Sequence, residues 1–311
     1  MRTGAAYLES LRDGREVWFN GDKVKDVTAH PVLRRCAHTI ARLYDLQRDP
    51  HYADMLTFTS AEGKQESMGY FIPRSPEDLR RLRTYYELIT VKTGGLLGRF
   101  SSLITLWHAY SMDPVWVYQQ YNLTWLENMR RFWHWCVKND PWVSGAFHGP
   151  SGDRSKPVSE QEDLDAYLRI VEKRSDGIVV NGYKAATLAP FANEIYVVPW
   201  AFLREQEGDW ALACCIPANT PGVKMICREP LTSSESPFEY PLSLFFDEID
   251  AHVIFDHVFV PKDRIFCAGE PKVLEEVHLK ARVGGRLAPG TIPYVAWFTP
   301  LQFMVRLKLM L

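Results

Sequence analysis

The hydropathy pattern of this chain changes period once, near residue 140, and that switch limits the fold more than any other feature. Before it, over 34–46, 76–92 and 116–138, apolar residues recur every three or four positions, the period of an amphipathic helix. Ser75-Pro76-Glu77-Asp78 supplies a helix start: a Ser cap, Pro at the first position, and acids facing the positive end of the helix dipole. Trp125, Met129, Phe132, Trp133 and Cys136 form one apolar stripe, which predicts a helix face turned to the core.

After Pro141 the texture is that of strands. Leu168-Arg169-Ile170-Val171 leads through the turn Ser175-Asp176-Gly177 to Ile178-Val179-Val180. Further β-branched or aromatic runs cover 194–198, 210–216, 223–227, 251–255 and 258–260, punctuated by Pro199, Pro217, Pro221, Pro230, Pro237 and Pro261. Short runs at this spacing predict an antiparallel sandwich or barrel rather than a parallel sheet with alternating helices. The expected class is therefore α+β, with an N-terminal helical domain over 1–140 and a central β-domain over 141–268. Residues 269–311 form an atypical basic and apolar tail, without an acid after Glu276. Pro293, Pro300, Arg306 and Lys308 interrupt any membrane span there, so a short basic amphipathic helix or a poorly ordered tail is expected.

A formal net charge of -2 leaves no global basic field for nucleic acid. Ten Trp favour flat apolar pockets. The six cysteines show no C-x-x-C spacing and are expected as buried thiols; Cys214 and Cys215 in a strand would face opposite ways. Met1-Arg2-Thr3-Gly4 runs into charged sequence with no apolar segment, so the expected location is cytoplasmic, with no membrane association. No G-x-G-x-x-G after a strand, G-x-x-x-x-G-K-[ST], H-E-x-x-H or G-x-S-x-G occurs. Taken alone, these motifs assign no chemistry.

Longer blocks are more specific. Met1-Arg2-Thr3-Gly4, Tyr7-Leu8, Leu11-Arg12-Asp13-Gly14-Arg15, Val27-Thr28-Ala29-His30-Pro31, Ala41-Arg42-Leu43-Tyr44-Asp45-Leu46-Gln47 and Ile72-Pro73-Arg74-Ser75 come first. Asp153-Arg154-Ser155-Lys156-Pro157, Ala186-Thr187-Leu188-Ala189-Pro190-Phe191-Ala192, Cys227-Arg228-Glu229, Pro241-Leu242-Ser243, Phe246-Asp247-Glu248-Ile249-Asp250 and Ile254-Phe255-Asp256 follow. In this order they resemble the 4-hydroxyphenylacetate 3-monooxygenase family. The resemblance implies an acyl-CoA dehydrogenase-like fold with helical, β and C-terminal bundle domains. It implies FAD, used as FADH2 from a separate flavin reductase, with O2 to hydroxylate a phenol-like aromatic substrate. Self-association as a homo-oligomer belongs to the same expectation. Beyond about Cys267 the sequence no longer matches, and the family's C-terminal bundle is missing from this reading.

The resemblance also carries sites over one residue at a time. Arg99, in Gly98-Arg99, matches an Arg that faces phenol and flavin, where a fixed positive charge would steady phenolate. Leu103 stands where the family has Tyr, and Trp200-Ala201 where it has a polar pair; all three are expected to bind substrate. The family's His slot falls at Gly145, with His148 three residues on as the catalytic stand-in. Ser151, Gly152, Asp153 and Arg154 match the flavin-contacting loop, and Thr187 a further flavin contact. No metal site is expected. Losing the Tyr and His slots predicts a substrate other than simple 4-hydroxyphenylacetate. The alternatives are a truncated member without catalytic turnover and, less favoured, a flavin-dependent dehydratase. The latter chemistry needs iron–sulfur ligands, and the 94–109 segment has no Cys.

Overall fold

The computed structural model describes residues 1–93, 115–153, 155–199 and 203–279. Its first part contains α1 (Gly4–Ser10), β1 (Glu16–Phe19), β2 (Asp22–Val24), α2 (Leu33–Leu46), α3 (Ala53–Leu56), β3 (Thr57–Thr59), β4 (Gln65–Ser67) and α4 (Pro76–Lys92). Local signals set several of these bounds. Ser75 Oγ accepts the Asp78 N–H at 3.1 Å and so caps α4, with Pro76 behind it and Lys92 in the last turn. The stretch 116–138, expected as one helix, is two: α5 (Val115–Tyr118) and α6 (Leu123–Asn139). Asn122 separates them, its side chain accepting from the Thr124 N–H and starting α6 afresh. Leu126, Met129, Phe132 and Cys136 of α6 are buried, each of the large apolar ones contributing about 1.5–3 kcal/mol.

The strands β5 (Val143–His148), β6 (Arg169–Lys173), β7 (Gly177–Thr187), β8 (Glu194–Val197), β9 (Leu212–Pro217), β10 (Val223–Cys227), β11 (Asp250–Pro261) and β12 (Ile265–Ala268) follow. With β1 and β2 they form one ten-stranded sheet, ordered β12-β9-β8-β5-β7-β11-β10-β1-β2, with β6 also on β7. The sheet is mixed: β5 runs parallel to β8, and β1 parallel to β10, while the other pairings are antiparallel. Residues 16–24, inside the stretch expected as helical, thus belong to the sheet. Their hairpin turns at Asn20 and Gly21, both at positive φ (50° and 86°), as a two-residue turn between twisted strands requires.

The sheet is buried on both faces through its middle. Ile195, Val197, Leu212, Cys214 and Ile216 join a core with Tyr7, Leu33, Ile40 and Tyr86 of the early helices. Their neighbours Tyr196, Val198, Ala213 and Cys215 join a second core with Tyr118, Met129 and Phe132. The alternation is the period of a strand, and it puts Cys214 and Cys215 on opposite faces. The second core also takes Val273, Leu274 and Val277, so the start of the 269–311 segment is packed, as a helical turn at Pro271–Val273 continuing through Leu274–Leu279. All six cysteines are free and buried. No described helix is long and apolar enough to cross a membrane.

Candidate active site

The candidate residues in the described part gather on β5, on its neighbour β7, and in the loop that follows β5. Ala146 of β5 pairs with Ala186 of β7, and His148 with Ala185, so a bulge at Phe147 shifts the register by one residue. A bulge bends the strand and re-aims the side chains after it. Lys184, a buried lysine of β7, donates from Nζ to the Phe147 carbonyl at 3.2 Å. His148 is exposed and lies opposite Ala185. Thr187, two residues along β7, shares the face of Ala185 and sits roughly 7 Å further on.

Register adds residues to this face that periodicity could not place. His252 of β11 also pairs with Ala185, and Asp250 with Thr187. Tyr183 hydrogen-bonds His252 Nδ1 at 2.6 Å. Partial burial raises the Tyr183 pKa above its ordinary value. The half-exposed face of three adjacent strands thus carries His148, Tyr183, Thr187 and His252 together. Only the pairing of β7 with β5 and β11 reveals this, and no local sequence signal marks Tyr183 or His252.

Thr187 is held by the turn behind it. Leu188 sits in the left-handed region (φ 59°), and Ala189–Phe191 form a 3-10 turn. Segments distant in sequence pin that turn. Arg15 Nη1 donates to the carbonyls of Pro190 (3.1 Å) and Ala192 (2.6 Å), and Tyr7 Oη to that of Phe191 (2.7 Å). Asp13 grips the Arg15 guanidinium from two oxygens at 2.8 and 2.7 Å. The motifs Asp13-Gly14-Arg15 and Ala189-Pro190-Phe191-Ala192 are therefore two halves of one contact.

The loop after His148 is exposed at Ser151, Gly152 and Asp153. Asp153 Oδ1 accepts from Ser155 at its N–H (3.0 Å) and hydroxyl (2.7 Å), which holds the carboxyl below the usual carboxylate range. That oxygen closes a turn, so what the loop offers outward is chiefly the Ser151 hydroxyl and the Ser151 and Gly152 amides. Among the described residues, neither the Ser151 nor the Thr187 hydroxyl has a hydrogen-bond partner. Neutral hydroxyls and backbone donors at an exposed edge suit the polar rim and phosphates of a dinucleotide, so this donor set fits FAD. Arg99, Leu103, Arg154, Trp200 and Ala201 lie outside the described residues.

Comparison with known proteins places this arrangement. The family model described as 4-hydroxyphenylacetate 3-hydroxylase N terminal matches residues 3–267. The 4-hydroxyphenylacetate 3-monooxygenase oxygenase component of Thermus thermophilus is 35% identical over 281 residues, covering 89% of this chain and 57% of that protein. A 4-nitrophenol 4-monooxygenase/4-nitrocatechol 2-monooxygenase oxygenase component of Rhodococcus opacus is 36% identical, with coverages of 87% and 53%. A 4-hydroxybutyryl-CoA dehydratase/vinylacetyl-CoA-Delta-isomerase of Clostridium aminobutyricum, 32% identical, shows that relatives of this chain include a second chemistry. Among solved structures, a 4-hydroxyphenylacetate 3-monooxygenase oxygenase component complexed with FAD and 4-hydroxyphenylacetate superposes with TM-score 0.87 at 33% identity, covering 97% of this chain and 62% of that one. The chain spans about half the length of the curated relatives it matches. With the match over 3–267 taking in β1 to β12, the chain belongs to the 4-hydroxyphenylacetate 3-hydroxylase N-terminal family.

Proposed function

We propose that this chain supplies one side of a reduced-flavin site in a two-component aromatic monooxygenase. The observation that carries the reading is the pair of hydroxyls, Ser151 and Thr187, that have no hydrogen-bond partner among the described residues, on supports that the fold ties down at both ends. Reduced FAD, delivered by a separate flavin reductase, supplies the activation of O2 from which one oxygen atom enters the ring of a phenol-like substrate. Thr187, Ser151 and the Gly152 amide hold the flavin's polar edge, and Arg154 pairs with its pyrophosphate. Arg99 steadies the phenolate by fixed charge, and His148 handles the phenol proton. Leu103, Trp200 and Ala201 wall the ring; an apolar residue at 103 and an indole at 200 favour a bulkier, less polar phenol than 4-hydroxyphenylacetate. Self-association as a homo-oligomer belongs to the same scheme, and neither nucleic acid nor a membrane enters it.

Incubation with a flavin reductase, NADH, 18O2 and a panel of phenols tests this. The expected product carries one labelled oxygen ortho to the hydroxyl. NADH oxidation that yields only hydrogen peroxide on every phenol would favour the alternative, a family member without turnover of its own.

A further inference from the structure

Two side chains from outside the Ser151–Asp153 loop shape it. Gln161 uses both ends of its amide: Oε1 accepts the Asp153 N–H at 3.1 Å, and Nε2 faces the carbonyls of Asp153 (2.8 Å), Lys156 (3.1 Å) and Pro157 (3.4 Å). A primary amide can satisfy donors and acceptors of a loop at once without bringing in charge. Tyr167 lies against the same loop, its Oη donating to the Pro150 carbonyl at 3.1 Å. The contact is close. A Cβ on Gly149 would come within 2.8 Å of the Tyr167 ring, and one on Gly152 within 2.5 Å of Gln161 Oε1 and 2.7 Å of Tyr167 Oη. Tyr167 is itself bridged to Tyr183 of β7.

The loop's exposed tip contributes nothing to either core. A surface loop without core anchors ordinarily samples many conformations. One side chain bonded to both backbone groups of Asp153, at the end of the loop, and to the carbonyls of Lys156 and Pro157 just beyond it is support of the kind a ligand-presenting loop needs. We infer that Gln161 is a positioning residue: with Tyr167 it holds Gly149–Asp153 in the flavin-receiving shape before flavin arrives, so that ordering the loop does not weaken binding. The inference rests on the reading that this loop meets the flavin.

Hydrogen exchange and FAD titration of the 311-residue chain test it, with Gln161→Ala, Gln161→Glu and Thr187→Val beside the unsubstituted protein. Gln161→Ala should speed exchange of the 151–156 amides at least tenfold without flavin and weaken FAD binding at least fivefold. Gln161→Glu keeps the volume but turns a carboxylate toward three carbonyls, and should do the same. Tyr167→Phe, which removes only the Oη bond, should act in the same direction more weakly. Unchanged loop exchange in Gln161→Ala overturns the inference whatever the flavin does. Faster exchange with FAD affinity that answers to Thr187→Val but not to Gln161→Ala also overturns it and leaves the flavin reading standing. FAD affinity indifferent to both substitutions removes the flavin reading, and the inference with it.

Discussion

The Ser144 hydroxyl donates to the Thr187 carbonyl at 2.5 Å, so the strand that ends in His148 also sets the position of the residue that opens the next turn. Ser144 is buried, and its loss leaves that carbonyl short of a partner. Ser144→Ala should cost about 1–2 kcal/mol of stability and weaken FAD binding several-fold. Chemical denaturation and a flavin titration on the same preparation check both effects.

Arg15 carries a larger share of the same support. Its side chain is 3% exposed and paired with Asp13. Removing one partner of a buried pair strands the other, so Asp13→Ala should cost about 3 kcal/mol. Arg15→Lys should fail to restore wild-type stability, because an ammonium cannot repeat the planar fork that reaches Asp13, Pro190 and Ala192 together. Melting temperatures of the two variants read this directly.

Two buried acids set a pH dependence of one sign. Burial raises Glu194 from its ordinary 4.5 to about 7, against the pull of Arg264 at 3.0 Å, and raises Asp140 from 3.8 to about 6. An acid whose folded pKa lies above its unfolded value binds its proton more tightly in the native state. Its contribution is fully present below the unfolded value and is lost as pH rises through the folded one. Stability should therefore fall between about pH 4 and 7, by on the order of 3 kcal/mol from Glu194. Glu194→Gln should flatten that fall, measured as unfolding free energy against pH. A slope unchanged in Glu194→Gln would place the dependence elsewhere.

How far the sequence could be read depended on the distance over which each feature is decided. The Ser75 cap and Pro76 mark α4 within four residues, and the helix spans Pro76–Lys92 as its pattern predicts. The parallel pairing of Glu16–Trp18 with Lys224–Ile226 has no local signature, although Asn20-Gly21 is a hairpin signal that the helical texture around it obscured. The site behaves alike. Ser151–Asp153 and Thr187 follow from resemblance to a family, whereas Gln161, Tyr167, Tyr183 and His252 meet the candidate loop and face through loop closure and strand register. A one-residue shift of β7 would move Thr187 to the other face, and no short window of sequence encodes that register.

Gly152 offers a probe of the loop independent of its polar groups. An added Cβ would lie 2.5 Å from Gln161 Oε1, so the amide must leave or the backbone must move. Gly152→Ala should weaken FAD binding about tenfold while shifting the melting temperature by no more than a few degrees, since the loop lies outside both cores. A full loss of folded protein would contradict this.

On the proposed reading, the flavin contacts of this chain rest on Ser151, Gly152 and Thr187. Three or four polar contacts at about 0.5–1.5 kcal/mol each fall short of the roughly 8 kcal/mol of micromolar binding. Anaerobic titration of reduced FAD into the purified 311-residue chain is the most direct measurement. The predicted result is saturable binding weaker than about micromolar, weakened several-fold further by Thr187→Val. Binding tighter than about micromolar, no saturable binding at all, or an affinity indifferent to Thr187→Val would contradict the account.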